Sequence, residues 1–118
     1  MQTDVAPVTT PKRWPRGQKF TLTAAGLAAE TAHREAVNSA RASGRSALGT
    51  ALAAWASPLG IEVGDGVLLA ELSGKKRGLN ELAASLEDAG IGPAEVKASV
   101  DRLVVARLAE PVPLASQQ

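Results

Sequence analysis

The side chains that could do chemistry in this chain are few, and most of them are cations. Of its 118 residues, 13 are Lys or Arg, 12 are Asp or Glu, one is His and none is Cys. The single histidine, His33, has no partner at the spacing of a catalytic or metal-binding motif, and no Ser, Thr or Lys lies in a nucleophile motif. The absence of Cys excludes disulfide scaffolds, thiolate zinc sites and Cys nucleophiles. We therefore expect no enzyme, no catalytic residue, no metal site and no cofactor.

Two groups of basic residues are candidates for contact with an anionic partner. One is the run Lys75, Lys76 and Arg77, and the other is a basic N-terminal segment that carries one aromatic residue: Lys12, Arg13, Trp14, Arg16 and Lys19. Cations of this kind can neutralise phosphates whatever the base sequence, and a basic arm can also enter a minor groove. The alternative is structural, with the run as a solubilising turn and the arm's charges keeping a strand edge soluble. For Trp14 we prefer the structural role, a cap on the core, and for the charges both interpretations stay open.

Charge and large aliphatic residues are distributed unevenly along the chain. Residues 1–50 carry 7 basic and 3 acidic side chains, a net charge of +4, whereas residues 51–118 carry 6 and 9, a net charge of −3. Residues 59–118 hold 19 of the 26 Leu, Val and Ile residues. The second half can therefore build a core, and the first half is a basic, Ala-rich appendage. No apolar run is long enough to span a membrane and no secretory signal is visible, which predicts a soluble, cytoplasmic, helix-rich domain.

The first half is predicted to contain an arm, a strand and two helices. Residues 1–16 read as a disordered arm rich in Pro and basic residues. In the following segment, 17–60, alternating side chains over 19–22 predict a short strand, and residues 24–42 predict an Ala-rich helix. A second helix follows with one apolar face made of Leu48, Leu52, Trp55 and Leu59. This face must dock on the rest of the domain or on a second copy of the chain.

The second half, 61–118, is predicted to contain three short helices and a strand. The helices cover residues 67–72, 79–86 and 93–108, and the last two carry Leu or Val at helical spacing along one face. Each of these two helices is opened by Gly-x-x-Glu, which puts a carboxylate in the positively polarised first turn. A short strand over residues 109–114, broken by two prolines, ends the chain.

Residues 66–114 resemble the winged helix-turn-helix superfamily of MarR, PadR and Fur regulators. The motifs that carry the resemblance are Leu82-Ala83, Gly90-Ile91, Val96-x-x-x-Val100-x-x-Leu103 and Leu108-Ala109-Glu110. The resemblance implies a mainly α fold and a DNA-binding transcriptional regulator that forms a homodimer through its added helices. Members of that superfamily carry two wing strands after the third helix, and this chain has room for one. We therefore predict that Lys19–Leu22 pairs with residues 109–114, so that the wing hairpin is assembled from both ends of the chain, within one protomer or between two.

Binding to double-stranded DNA would place the 93–108 helix in the major groove. Lys97 and Arg102 could then reach guanine acceptors or phosphates, and Ser99 could donate a hydrogen bond. Glu95 and Asp101 on the same helix oppose an anionic partner. The alternative is a solvated face on which Lys97 and Asp101 form an i, i+4 pair, and both interpretations stay open.

A second functional interpretation is a protein-protein or peptide-recognition module that does not bind DNA. The helical part of the second half also looks like peptide-recognition domains of the PqqD type, in which an exposed strand and the third helix hold a leader peptide by strand addition. That family places three strands before its first helix, whereas only one is predicted here. The net charge of +1 is compatible with either function.

Overall fold

A computed structural model of the chain describes residues 10–113. Its three strands and five α-helices follow in the order β1 Lys19–Leu22, α1 Ala24–Arg41, α2 Arg45–Ala56, α3 Asp65–Leu72, β2 Arg77–Gly78, α4 Leu79–Leu86, α5 Pro93–Val105 and β3 Ala109–Pro111. Single 3-10 turns at Ser57–Leu59 and Glu87–Ala89 extend α2 and α4. The domain is thus mainly helical, with one small antiparallel sheet.

The sheet joins the two ends of the described chain, as the sequence predicted. β1 pairs with β3 so that Phe20 faces Pro111, Thr21 faces Glu110 and Leu22 faces Ala109, and all of this pairing lies within one chain. β1 also pairs with β2, which gives the strand order β2-β1-β3. The sequence analysis missed β2 because two residues are too few to show alternation. The N-terminal strand is therefore the central strand of the sheet.

The core is built by β1 and by the helices of the second half. Phe20, together with apolar side chains from α3, α4 and α5, is fully buried: Leu68, Leu69, Leu72, Leu82, Val96, Val100 and Leu103. The predicted apolar faces of α4 and α5 are thereby confirmed. Burial of these aliphatic and aromatic groups contributes about 1.5 to 3 kcal/mol each, which makes this cluster the main source of stability.

Two helix boundaries differ from the predicted ones by two residues or more. α5 ends at Val105 and not at residue 108, because Arg107 adopts a left-handed conformation with φ 65°. This turn reverses the chain direction into β3, while Leu108 still reaches the core. α3 begins at Asp65 and not at residue 67, a difference that matters for the site described below.

The helices α1 and α2 form an antiparallel hairpin that is held to the core at one end. Thr23 caps α1 by accepting a hydrogen bond from the Gly26 N–H at 3.0 Å, and its hydroxyl donates to the Arg107 carbonyl at 2.7 Å. The fit is close, since a Cβ at Gly26 would lie 1.9 Å from the Leu108 carbonyl oxygen. Beyond residue 33, by contrast, the hairpin buries only Ala40 and Ala56 among residues 34–56.

Candidate nucleic-acid interface

The sheet brings the two predicted basic groups to one place. Pairing of β1 with β2 sets Lys19 opposite Gly78, directly after the run Lys75, Lys76 and Arg77. A shallow groove beside the run is lined by Arg16 and other residues of the arm, by Lys19 of β1, and by Gly78 and the first turn of α4. Lys75 and Lys76 are exposed. The N-terminus of α4, whose backbone dipole favours anions, therefore lies among these cations.

One carboxylate belongs to this basic region. The Gly78 N–H donates to Glu81 Oε1 at 2.8 Å, and Lys19 Nζ lies 3.9 Å from the same oxygen. The hydrogen bond from Gly78 and the charge of Lys19 lower the pKa of Glu81 below its usual range. Glu81 is thus an ionised side chain that closes the first turn of α4, as the Gly-x-x-Glu pattern predicted. Glu95 closes the first turn of α5 in the same way, through the Gly92 N–H at 2.9 Å.

The arm lies against α5 before it continues into β1. The Trp14 indole N–H donates to Asp101 Oδ1 at 2.9 Å, and the indole ring packs edge-on against Phe20 with ring centroids 4.9 Å apart. Lys97 Nζ donates to the Pro11 carbonyl at 3.2 Å and pairs with Asp101 Oδ2 at 2.5 Å. Trp14 therefore covers the core, as expected. Of the arm predicted over residues 1–16, the part from residue 10 is placed in this way, and residues 1–9 lie outside the described part.

Two of the three α5 residues proposed for DNA contact are used inside the domain. Ser99 is 4% exposed, and its hydroxyl donates to Asp65 Oδ1. The Arg102 guanidinium donates through Nε and Nη2 to the two oxygens of Asp65, each at 2.8 Å. The prediction that Ser99 donates to DNA is therefore wrong, because its hydroxyl lies beneath the surface. Arg102 is held in a two-point pair and is not extended toward a partner.

Asp65 is the centre of this cluster and was not identified from the sequence. It is 1% exposed, and it also accepts a hydrogen bond from the Glu62 N–H at 2.9 Å. Burial raises the pKa of Asp65, but the hydrogen bonds from Arg102, Ser99 and Glu62 outweigh it and lower the pKa overall. The only sequence signal was a carboxylate at the start of a helix. Nothing in the sequence indicates that this carboxylate packs on α5.

The second cation of α5 is also paired within the chain. Lys97 forms the i, i+4 pair with Asp101 that was the structural alternative. Among residues 10–113, α5 thus carries no cation without an acidic partner. Lys12 and Arg13 of the arm lie between its Pro11 and Trp14 contacts to α5, and both are exposed.

The predicted docking face of α2 packs within the chain at its C-terminal end. All four residues, Leu48, Leu52, Trp55 and Leu59, are half-buried. The Trp55 indole N–H donates to the Ala29 carbonyl at 3.0 Å, and its ring contacts His33 with centroids 4.7 Å apart. Trp55 and Leu59 pack against the core cluster.

Comparison with protein-family models, curated proteins and solved structures found no match to this chain. The class of protein that the structure defines is a mainly helical domain with a three-stranded antiparallel sheet. Across residues 10–113 no helix is long and apolar enough to cross a membrane. Within the same range no three His, Asp or Glu side chains come together as metal ligands would.

Proposed function

We propose that this protein binds double-stranded DNA as a winged helix-turn-helix domain whose central wing strand comes from the N-terminus. The order helix α3, strand β2, helices α4 and α5, strand β3 supports this proposal. β1 then occupies the position between β2 and β3 that a strand following β3 would otherwise fill. The basic groove lies beside the first turn of α4, where a helix-turn-helix meets the phosphate backbone.

The observation that carries the proposal is that the arm and the run before α4 bring together several cations without an acidic partner. Within residues 10–113 no carboxylate lies within 4.0 Å of the cations of the arm or of the run before α4; these cations are Lys12, Arg13, Arg16, Lys75, Lys76 and Arg77. Lys19 has Glu81 as its only acidic partner in that range, and the distance is long. Among these six, Arg77 is half-buried and its Nε is enclosed. The other five are exposed and available to phosphates, whose neutralisation provides salt-dependent affinity.

The structure supports phosphate contact more strongly than base readout. Arg and Lys on a recognition helix supply the commonest base-specific contacts, but Arg102 and Lys97 already have acidic partners. The proposed regulatory role therefore rests on backbone contacts, with a modest preference among DNA sequences. This follows from the side chains that α5 still exposes, which include Ala94 and Ala98.

Peptide binding by strand addition is less well supported, because the edge of the sheet formed by β3 offers few hydrogen-bond donors. The Leu108 carbonyl accepts from the Thr23 N–H and the Val112 N–H donates to the Lys19 carbonyl, so residues with even numbers face β1. The residues that face away from β1 are Ala109, Pro111 and Pro113. Two of these three have no N–H, and prolines of this kind block the addition of a strand.

We also propose that a second copy of the chain covers the α1–α2 hairpin. Beyond residue 33 the hairpin buries few side chains. Because isolated helices of this length are only marginally stable in water, we expect this part of the hairpin to pack against a further partner. At the end of the hairpin near the core, the small and apolar side chains of Ala25, Ala28, Ala32, Trp55 and Leu59 line a shallow groove. Two hairpins packed about a two-fold axis would form a four-helix bundle, and the dimer would carry two DNA-binding surfaces.

Sedimentation equilibrium tests this dimer with one substitution in each helix of the hairpin. Ala28→Lys places a charge in the exposed groove and should yield monomers, whereas Thr50→Lys, exposed on α2 outside the groove, should leave the dimer intact. A wild-type chain that sediments as a monomer at tens of micromolar would exclude the proposed dimer.

DNA binding is tested by fluorescence anisotropy with a labelled random-sequence duplex over a series of salt concentrations. Each phosphate contact contributes about 0.9 to the slope of log affinity against log salt. Replacing Lys75 and Lys76 together by Ala should therefore reduce the slope by about 2.

The matched control is the pair Arg41→Ala and Arg45→Ala. It removes the same charge from exposed positions at the far end of the hairpin, and it should leave the slope unchanged. Absence of binding at low salt, or equal changes in both double variants, would contradict the proposal.

A further inference from the structure

We infer that the arm over residues 11–14 is part of the DNA-binding surface, and that Asp101 is the positioning residue that holds it on α5. This inference rests on the proposed function and identifies which residues supply charge to the outer face of α5. Under this inference the Asp101 carboxylate supports DNA binding, although its negative charge alone would oppose it.

Asp101 is the point at which the arm and α5 meet. One of its oxygens accepts from the Trp14 indole and the other pairs with Lys97. Lys97 in turn donates to the Pro11 carbonyl, so that both ends of the segment are attached through one carboxylate. The side chain of Asp101 is 19% exposed and that of Lys97 is 31% exposed. The Trp14 contact is partly buried, whereas the Pro11 contact is exposed to water.

The two residues between the attachment points are the cations Lys12 and Arg13. Both are exposed, and neither has an acidic partner within the described part of the chain. Because the segment is ordered before DNA arrives, these cations need not lose chain entropy on binding. They supply positive charge to a helix whose own Lys and Arg are neutralised.

If Asp101 affects DNA binding only through its charge, the result differs from that of the positioning role. Any neutral residue at position 101 would then remove a negative charge, release Lys97 and tighten DNA binding. If Asp101 positions the arm, the result depends on whether the new side chain can still accept the Trp14 indole hydrogen bond. Asp101→Asn keeps an acceptor oxygen, whereas Asp101→Ala does not.

The experiment compares Asp101→Asn, Asp101→Ala and the double variant Lys12→Ala with Arg13→Ala in the same anisotropy assay. We expect Asp101→Asn to bind at least as tightly as the wild type with an unchanged salt slope. Asp101→Ala should bind more weakly despite its lost negative charge, and its slope should fall toward that of the double variant, which loses about 2. The pair Arg41→Ala and Arg45→Ala again serves as the charge-matched control.

A measurement without DNA separates the arm from the proposed function. Trp14 and Trp55 give the two indole N–H signals of the chain in a 15N-correlated NMR spectrum, and Trp14→Phe assigns them. The Trp14 signal should shift and exchange faster with water in Asp101→Ala but not in Asp101→Asn.

These experiments distinguish failure of the proposed function from failure of the inference about the arm and Asp101. A wild-type chain that binds no DNA overturns the proposed function and this inference with it. A chain that binds DNA, but whose slope is unchanged in the Lys12 and Arg13 double variant, overturns only this inference. Equal affinities of the Asn and Ala variants at position 101 also overturn it, because the hydrogen bond would then have no role.

Discussion

Removal of the Asp65 carboxylate is the most informative perturbation of the fold. Asp65→Ala deletes the acceptor of two hydrogen bonds from Arg102, one from Ser99 and one from the Glu62 N–H. Breaking a buried ion pair costs about 3 to 5 kcal/mol. Because the Arg102 side chain is 35% exposed and water can reach it, the low end applies, a loss of about 3 kcal/mol. Ser99→Ala should cost only about 1 kcal/mol, as for one hydrogen bond.

Asp65 and Arg102 differ in burial, so their substitutions should differ in cost. Arg102→Ala leaves a carboxylate that is 1% exposed without its cation, whereas Asp65→Ala leaves a cation that water can solvate. Arg102→Ala should therefore destabilise the domain more than Asp65→Ala, toward about 5 kcal/mol.

Urea unfolding followed by tryptophan fluorescence measures both losses. With a slope of about 1.5 kcal/mol per molar urea, a loss of 3 kcal/mol lowers the midpoint by about 2 M. The double variant should show a coupling of about 1 to 3 kcal/mol between the two positions. The reasoning is refuted if Asp65→Ala costs less than about 1 kcal/mol, or if Arg102→Ala is the milder of the two.

Three further predictions concern stability. Because folding lowers the pKa of Asp65, its carboxylate contributes fully to stability above pH 3.8, the ordinary pKa of Asp, and this contribution is lost as the pH falls through the pKa of the folded state. The urea midpoint should therefore drop over that pH range in the wild type, and less in Asp65→Asn. Gly26→Ala should destabilise the domain by more than about 1 kcal/mol because its Cβ would meet the Leu108 carbonyl, whereas Gly49→Ala, with open space around it in α2, should stabilise it by about 0.5 to 1 kcal/mol; thermal unfolding compares the two. Thr23→Ala should cost about 1 to 2 kcal/mol through loss of the α1 cap, and Thr23→Ser should restore most of it in the same assay.

Apart from the two-residue strand β2, the strands and helices could be predicted from the sequence, because most of them show a periodic pattern of apolar residues. Phe20 and Leu22 alternate with polar residues in β1, and Val96, Val100 and Leu103 repeat at helical spacing in α5, so that the buried face of each could be read directly. The pairing of β1 with the last strand followed from the presence of two strands without partners. These features depend on local order and on hydrophobic burial, which a single sequence reports.

The site was harder to predict because its contacts join distant elements. Helical spacing showed that Arg102 lies outside the apolar face of α5. It did not show that Asp65 of α3 lies next to Arg102 and accepts its hydrogen bonds. The same limit applies to Trp14 and Asp101, which are 87 residues apart. The Lys97–Asp101 pair, by contrast, lies within one helix and was foreseen as the alternative to DNA contact.

The central position of β1 has a consequence for how the chain folds during synthesis. The Gln18 side chain closes onto the Val112 carbonyl across 94 residues, and closing a loop of that size costs roughly 4 kcal/mol of chain entropy. At about 5 to 20 residues per second, β1 waits roughly 5 to 20 s for its second partner to leave the ribosome. During that interval Phe20 and Leu22 are an uncovered apolar strand, exposed to association with other nascent chains. The cations Arg16 and Lys19 lie in and beside this strand and repel other copies of it, so charges that we propose to contact a phosphate backbone in the finished domain also oppose association of the strand while the domain forms.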